Sequence, residues 1–179
     1  MPAPIRQLSG DDAQSLRDLR QRALAEHPEA FGSAPEEEAA LTLEQFIGNY
    51  LSPPLRITLG AFAGDQLVGI ASLLRWSPRK TRHKAMITGM YVAPEARGAG
   101  LGRALLEALI AHARGLEGLR DLSLAVTVTN SAARTLYQRL GFVPFGIERD
   151  YIYADGVYHA IEWMLLRLDS AHGPLAADS

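Results

Sequence analysis

Between Met90 and Arg114 the hydrophobic period changes once, and that change dictates the local structure. An apolar segment runs to Val92 and is broken by Pro94, which has no N–H to continue a ladder. Arg97 follows, with Gly98, Gly100 and Gly102 close behind. From there Leu101, Ala104, Leu105, Ala108, Leu109 and His112 recur at helical spacing. The order is strand, glycine-rich turn, helix. The first turn of a helix carries N–H groups without intrahelical acceptors, and the helix dipole places partial positive charge there. Glycines let a bulky anion approach those groups because no Cβ stands in the way. Arg97 and Arg103 add charge at the same place. The stretch reads as a cradle for phosphate or pyrophosphate; the plainer alternative is a helix that starts after a flexible loop.

Two common anion sites do not fit. A G-x-G-x-x-G fingerprint starting at Gly98 puts Arg103 at the third glycine, and one starting at Gly100 puts Leu105 there. A P-loop needs a Gly-Lys pair, which the sequence lacks. What stands is Arg97-x-x-Gly100-x-Gly102.

The 179 residues suffice for one domain with a real core, predicted over residues 1–168, with a polar tail at 169–179. A net charge of −2 gives no reason for nonspecific attraction to nucleic acid or membranes. With no cysteine there is no disulfide, thiolate metal site or cysteine nucleophile, and no metal centre is expected. The N-terminus lacks the apolar core of a signal peptide, and no apolar run approaches ~18 residues, so a soluble cytoplasmic protein is expected.

In chain order, Pro4–Leu8 reads as an edge strand, and Ser9 or Asp11 caps a helix carrying Leu16, Leu19, Ala23 and Leu24 that ends before Pro28. Residues 27–35 form a loop around Phe31, and Glu36–Glu38 reads as a solvated helix start. A further helix spans Thr42–Leu51. Arg56–Ala63 and Gln66–Arg75 flank the turn Gly64-Asp65 as a central hairpin. Arg82–Val92 is a third strand, in which Gly89 marks a bulge or a close backbone approach. Leu119–Thr129 alternates strongly, Asn130 caps a helix that Gly141 stops, and Phe142–Phe145 is a short strand. Tyr151–Tyr153 leads through the turn Asp155-Gly156 to a final strand, Val157–Leu168. The predicted fold is α/β (α+β): a mixed, mostly antiparallel central sheet with one parallel βαβ pair and helices on both faces.

A second motif follows the βαβ unit. Asn130, Ala133, Tyr137 and Gly141-Phe142 stand in a pattern that resembles the second signature of the GNAT acetyltransferase superfamily. The turn at Arg97, Gly100 and Gly102 is similar to that family's acetyl-coenzyme A pyrophosphate loop. The element order also matches the family layout; before Arg56 and after Gly146 the match is in layout alone.

The resemblance implies acetyl transfer from acetyl-CoA to a primary amine of a small molecule or peptide, by direct attack in a ternary complex. It implies that the backbone of residues 98–103, with the Arg97 and Arg103 side chains, holds the pyrophosphate. Met90, Tyr91 and Val92 then pair with the pantetheine arm, as a peptide adds to a sheet edge, and Asn130 and Ala133 also face the cosubstrate. Gly98, Gly100 and Gly102 form the cradle. Tyr137 becomes the general acid: a phenol near ~10 and a thiol near ~8.5 are close enough for proton transfer. Its helical position equally suits an amphipathic core residue.

Many family members carry a glutamate on the strand before the pyrophosphate loop as base. Arg82–Val92 has no acid, so the base is unassigned; His83, His159, Glu148, Asp150 and Glu29 are candidates by type alone. Glu29, Phe31, Tyr151 and Tyr153 are the candidate acceptor residues. A non-catalytic acetyl-CoA-binding module is the competing reading. A homodimer through an exposed final strand is the expected self-association.

Overall fold

The computed structural model describes residues 4–168; the polar tail at 169–179 lies outside the described residues. The strands are β1 (Ile5–Gln7), β2 (Arg56–Ala63), β3 (Gln66–Arg75), β4 (Lys84–Val92), β5 (Asp121–Thr127), β6 (Val143–Ala154) and β7 (Val157–Arg167). The helices are α1 (Ala13–Glu26), α2 (Pro35–Ala39), α3 (Leu43–Tyr50), α4 (Leu101–Arg114) and α5 (Ser131–Arg139). One seven-stranded sheet runs in the order β1-β2-β3-β4-β5-β7-β6. Every pairing is antiparallel except β4 with β5, which α4 connects as a βαβ crossover. The mixed sheet predicted from sequence is therefore the observed one.

Helices cover both faces because the central strands are apolar on both. Gly69 and Ser72 lie three apart on β3 and so face opposite ways. A Cβ on Gly69 would sit 3.0 Å from Leu105 Cδ1 of α4, which needs a bare backbone to pack this closely. On the other side the Ser72 hydroxyl lies 2.7 Å from that of Thr58, which donates to the Tyr50 carbonyl at the end of α3. Leu105, Leu106, Leu109, Leu122 and Met164 are wholly buried in the core on which α4 lies.

Three details depart from the sequence expectations. First, Phe142–Phe145 is not a short strand: β6 runs twelve residues through Glu148, Arg149 and Asp150 to Ala154. Its residues are almost all exposed, so no inside–outside alternation marks it. Second, β7 is not an edge, because it lies between β5 and β6; β6 is the edge. Third, Glu36–Glu38 is not wholly solvated. Glu38 is 2% exposed and pairs with Arg20 of α1, itself 5% exposed.

The chain entry to α1 is held by Asp12, which accepts from the Ser9 amide at 2.9 Å and from both terminal nitrogens of Arg6, at 2.8 and 2.6 Å. The Arg6 hydrogen bonds lower the Asp12 carboxyl to about 2. A folded value below the unfolded one stabilises the fold above the unfolded value and ceases to do so as pH falls through about 2. Asp12→Asn is expected to flatten the decline in urea midpoint between about pH 4 and pH 2; an unchanged decline would exclude Asp12 as its source.

Candidate active site

β4 and β5 pair over only three registers, Lys84–Met86 against Asp121–Ser123. Beyond Met86 the strands part. The cause lies on the other side of β4. Ile70 of β3 pairs with Tyr91 and Ser72 with Thr88, so β4 spends Gly89 and Met90 opposite Ala71 alone. Gly89 takes φ +63°, a left-handed conformation that suits glycine. This is the bulge expected from the sequence, and it leaves the β5-facing backbone at the end of β4 without a strand partner.

The end of β4 is pinned rather than loose. The Tyr91 hydroxyl donates to Glu26 at 2.6 Å, and Arg22 bridges Glu26 and Glu95 at 2.7 and 2.6 Å. Burial, with the Glu26 hydrogen bond behind it, pushes the Tyr91 hydroxyl up to about 12. These contacts fasten the C-terminal turn of α1 to the strand end and to the turn after it.

The glycine turn then opens α4. Gly98 and Gly100 have φ +86° and +76°, and a Cβ at either would meet no atom within 4 Å. The turn is bare on its open side, as an anion cradle requires. Gly102 is different: its Cβ would lie 3.2 Å from Met90 Cε, so it allows close approach of α4 to β4. Arg97 does not reach over the cradle. Its Nε donates to the Val92 carbonyl at 2.8 Å, its Nη2 lies 3.2 Å from His27 Nε2, and its guanidinium sits 5.8 Å from the Tyr91 ring centre. Arg103 pairs with Glu107 one turn on, at 2.8 Å, and is well exposed.

Opposite β4 stands α5. Asn130 caps it, its side chain accepting from the Ala133 amide at 3.1 Å, as the sequence predicts. Tyr137 is 7% exposed and meets Phe142 edge-on at 6.1 Å between ring centres. Burial pushes its hydroxyl up to about 12, so it keeps its proton throughout the neutral range.

A cleft of about 530 Å³ gathers these parts. Met90, Tyr91 and Val92 form one wall, and Gly98, Gly100, Gly102, Arg97 and Arg103 form its end. Asn130, Ala133 and Tyr137 form the other wall. Every cosubstrate candidate named from the sequence, and the general-acid candidate Tyr137, lines this one space. His27, Ala30, Leu101, Ala132 and Leu136 also line it and were not singled out. Leu101 belongs to the apolar stripe that the sequence shows for α4, whereas His27 carries no local signal. A smaller space between the parted strands is bounded by Phe31, Thr88, Gly89, Thr127 and Tyr137.

A third cleft, of about 560 Å³, brings Phe31, Tyr151 and Tyr153 together with Glu36, Glu37 and Asp155. Phe31 lines all three spaces and so stands at their junction. Glu29 does not line them. Its carbonyl accepts from the Thr127 hydroxyl at 2.8 Å, and its carboxylate lies 3.5 Å from His27 Nδ1. Its part is to anchor the loop. The base candidates scatter. The His83 carbonyl accepts from the Arg120 and Asp121 amides, at the closed end of the β4–β5 gap. Glu148 accepts from the Trp163 indole at 3.0 Å, Asp150 sits in a β6 bulge at φ +54°, and His159 pairs with Ile152. Among the described residues no carboxylate lines the main cleft or the gap.

The model of the acetyltransferase (GNAT) family matches residues 16–142. The mycothiol acetyltransferase of Geodermatophilus obscurus is 34% identical over 143 residues, covering 78% of this chain and 44% of that protein. The chain thus spans less than half the length of the mycothiol acetyltransferases it matches. The N-alpha-acetyltransferase RimI of Mycobacterium tuberculosis is 32% identical over 155 residues, 87% of each chain. Among solved structures, the yncA acetyltransferase of Salmonella typhimurium, determined with its cofactor acetyl-CoA, superposes with a TM-score of 0.83 at 24% identity, over 99% of this chain and 100% of that one. That last likeness is one of fold. With the family match running from α1 to the end of α5 and a relative aligned over nearly its whole length, this chain belongs to the GNAT acetyltransferase family.

Proposed function

We propose that this chain transfers an acetyl group from acetyl-CoA to a primary amine by direct attack in a ternary complex. One observation carries the reading: a bare glycine turn at a helix N-terminus, an unpaired strand end and a buried tyrosine line one cleft. The pyrophosphate takes the amides of residues 98–103, to which open space at Gly98 and Gly100 gives access. Arg103 turns from Glu107 to the phosphates, a small cost for an exposed ion pair. Arg97 acts first on the protein, holding the Val92 carbonyl and His27, and so fixes the strand end beside the cradle. The β5-facing backbone at the end of β4, which has no strand partner there, pairs with the pantetheine amides, and Asn130 and Ala133 border that arm.

The thioester then lies in the gap beside Tyr137, and the amine enters through the cleft of Phe31, Tyr151 and Tyr153. The amine nitrogen bonds to the carbonyl carbon, the carbon–sulfur bond breaks, and Tyr137 gives its hydroxyl proton to the sulfur. The proton shed by the nitrogen passes through water and restores the Tyr137 hydroxyl, since among the described residues no carboxylate lines the gap to take it. kcat/KM for the amine should therefore rise with pH toward the acceptor's own value, about 8 for an α-amine and about 10 for a lysine-type amine. A plateau starting at the same lower pH for both acceptors would reveal a protein base.

Equilibrium binding of acetyl-CoA followed by thiol release against polyamines, aminoglycosides, amino acids and peptide N-termini tests the reading. Binding without turnover across that panel would favour a non-catalytic coenzyme A module. Self-association, if present, belongs to the β6 edge rather than to β7, and light scattering of wild type and Phe145→Glu checks it.

A further inference from the structure

The charged cluster behind the β4 bulge is not used by the chemistry above, yet Arg20 and Glu38 within it are buried. Arg20 Nε donates to Glu38 Oε2 at 2.9 Å, and a second guanidinium nitrogen pairs with Glu38 Oε1. The Tyr50 hydroxyl donates to Glu38 at 2.6 Å and accepts from Arg20 at 3.2 Å. The Tyr50 ring lies between two guanidiniums, with Arg20 at 4.1 Å and Arg56 at 4.5 Å from its centre. Arg56 reaches on to the Thr88 hydroxyl at 3.3 Å. Arg20 Nη1 stands 2.9 Å from where a Cβ on Gly89 would be. Gly89 opens the bulge and Thr88 is the last paired residue before it, and both line the gap beside Tyr137.

The same cluster holds the acceptor side. α2 has five residues, too few for a helix to be stable alone, and Glu38 is its one buried residue. It hangs from α1 by polar contacts. Arg17 donates to the Glu38 and Ala39 carbonyls at 3.3 and 3.1 Å, and Gln21 donates to the Pro35 carbonyl at 3.1 Å. Glu36 and Glu37, beside Glu38, line the acceptor cleft. A buried ion pair is weak as a source of stability, because desolvation offsets its attraction, so its placement asks for another reason.

We propose that the Arg20–Glu38 pair, with Tyr50 and Arg56, is a positioning device that ties the α2 wall of the acceptor cleft to Thr88 and Gly89 at the start of the β4 bulge and so fixes where the amine stands relative to the thioester. The inference rests on the acetyl-transfer reading for its kinetic consequence and on the structure alone for the coupling. These four are positioning residues; they act through α2 and β4.

Glu38→Gln leaves two guanidiniums with no carboxylate between them and risks unfolding, so two gentler variants carry the test. Tyr50→Phe keeps the ring between the guanidiniums and removes the hydroxyl. Thr88→Val removes the hydroxyl that Arg56 reaches and keeps the side-chain shape. Each is expected to lower kcat/KM for the amine three- to tenfold, with the acetyl-CoA Kd within twofold of wild type. Leu122→Val, in the core of β5, serves as a stability control: a similar fall in Tm should leave both constants unchanged. Amide exchange supplies a readout independent of turnover. Residues 36–39 and 88–91 should exchange faster together in Tyr50→Phe. Faster exchange in α2 without any change at the bulge would overturn the coupling, as would a Tm loss with unaltered amine kinetics. A wild-type protein that acetylates no amine defeats the functional reading, and the exchange result still decides the coupling.

Discussion

Tyr137→Phe is expected to lower kcat for acetyl transfer by about two orders of magnitude or more, the range general acids supply, while the acetyl-CoA Kd stays within twofold. The ring is held by α5 and by its edge-on contact with Phe142, so removing one oxygen leaves the packing intact. What is lost is the proton. From the sequence, a phenol near ~10 and a thiol near ~8.5 looked closely matched. Burial widens that gap by pushing Tyr137 up to about 12. The hydroxyl is therefore a firmly held proton; in the proposed reaction it would donate a hydrogen bond as charge grows on sulfur, with transfer complete as the nitrogen sheds its own proton. The loss should sit in kcat, because the free thioester sulfur is neutral and a poor acceptor. A mutant kcat within threefold of wild type would remove Tyr137 from the mechanism. A parallel fall in acetyl-CoA affinity would make it a binding residue instead.

The second large effect is at the cradle. Gly100→Ala should weaken acetyl-CoA binding at least tenfold. Gly100 caps α4 at φ +76°, where an L-residue costs about 1–2 kcal/mol. Its Cβ would also project into the open space that gives an anion access to the first turn. The control is an acetyl-pantetheine donor, which lacks the pyrophosphate. Its KM should change much less than that of acetyl-CoA. Equal losses for both donors would mean that the substitution disturbs α4 as a whole and would end the argument for a local cradle.

The parts of the fold that follow from local chemistry were readable in the sequence. Gly89 announced the bulge because glycine inside a strand is costly unless a backbone conformation needs it. Asn130 announced α5 through its cap, and Leu101–Leu109 announced α4 through their period. All the cosubstrate candidates came from these two helix starts and one strand end, which explains why they meet in one cleft. What escaped depends on long-range partners. Glu38 looked solvated because its partner, Arg20, stands eighteen positions back on another helix. A trace existed: Arg20 occupies the buried stripe of α1 with Leu16, Leu19 and Ala23. The full length of β6 escaped because an edge strand exposed on nearly every residue leaves no alternation to read. His27 lines the cleft through the path of the chain after α1, and one residue type in a loop does not announce that path.

The three-register contact between β4 and β5 has a mechanical consequence. It makes the sheet two plates, β1–β4 and β5–β7, joined along a short seam and a crossover helix. In the proposed complex the pantetheine arm fills the open part of the seam, so the donor substrate completes the architecture as well as reacting in it. Bound donor should then stiffen the protein as an eighth strand would, and saturation at a hundredfold over Kd adds about 2.7 kcal/mol to its stability. On that reading each turnover would be a cycle of tightening and release, with the plates braced while the donor is bound and looser once coenzyme A has left.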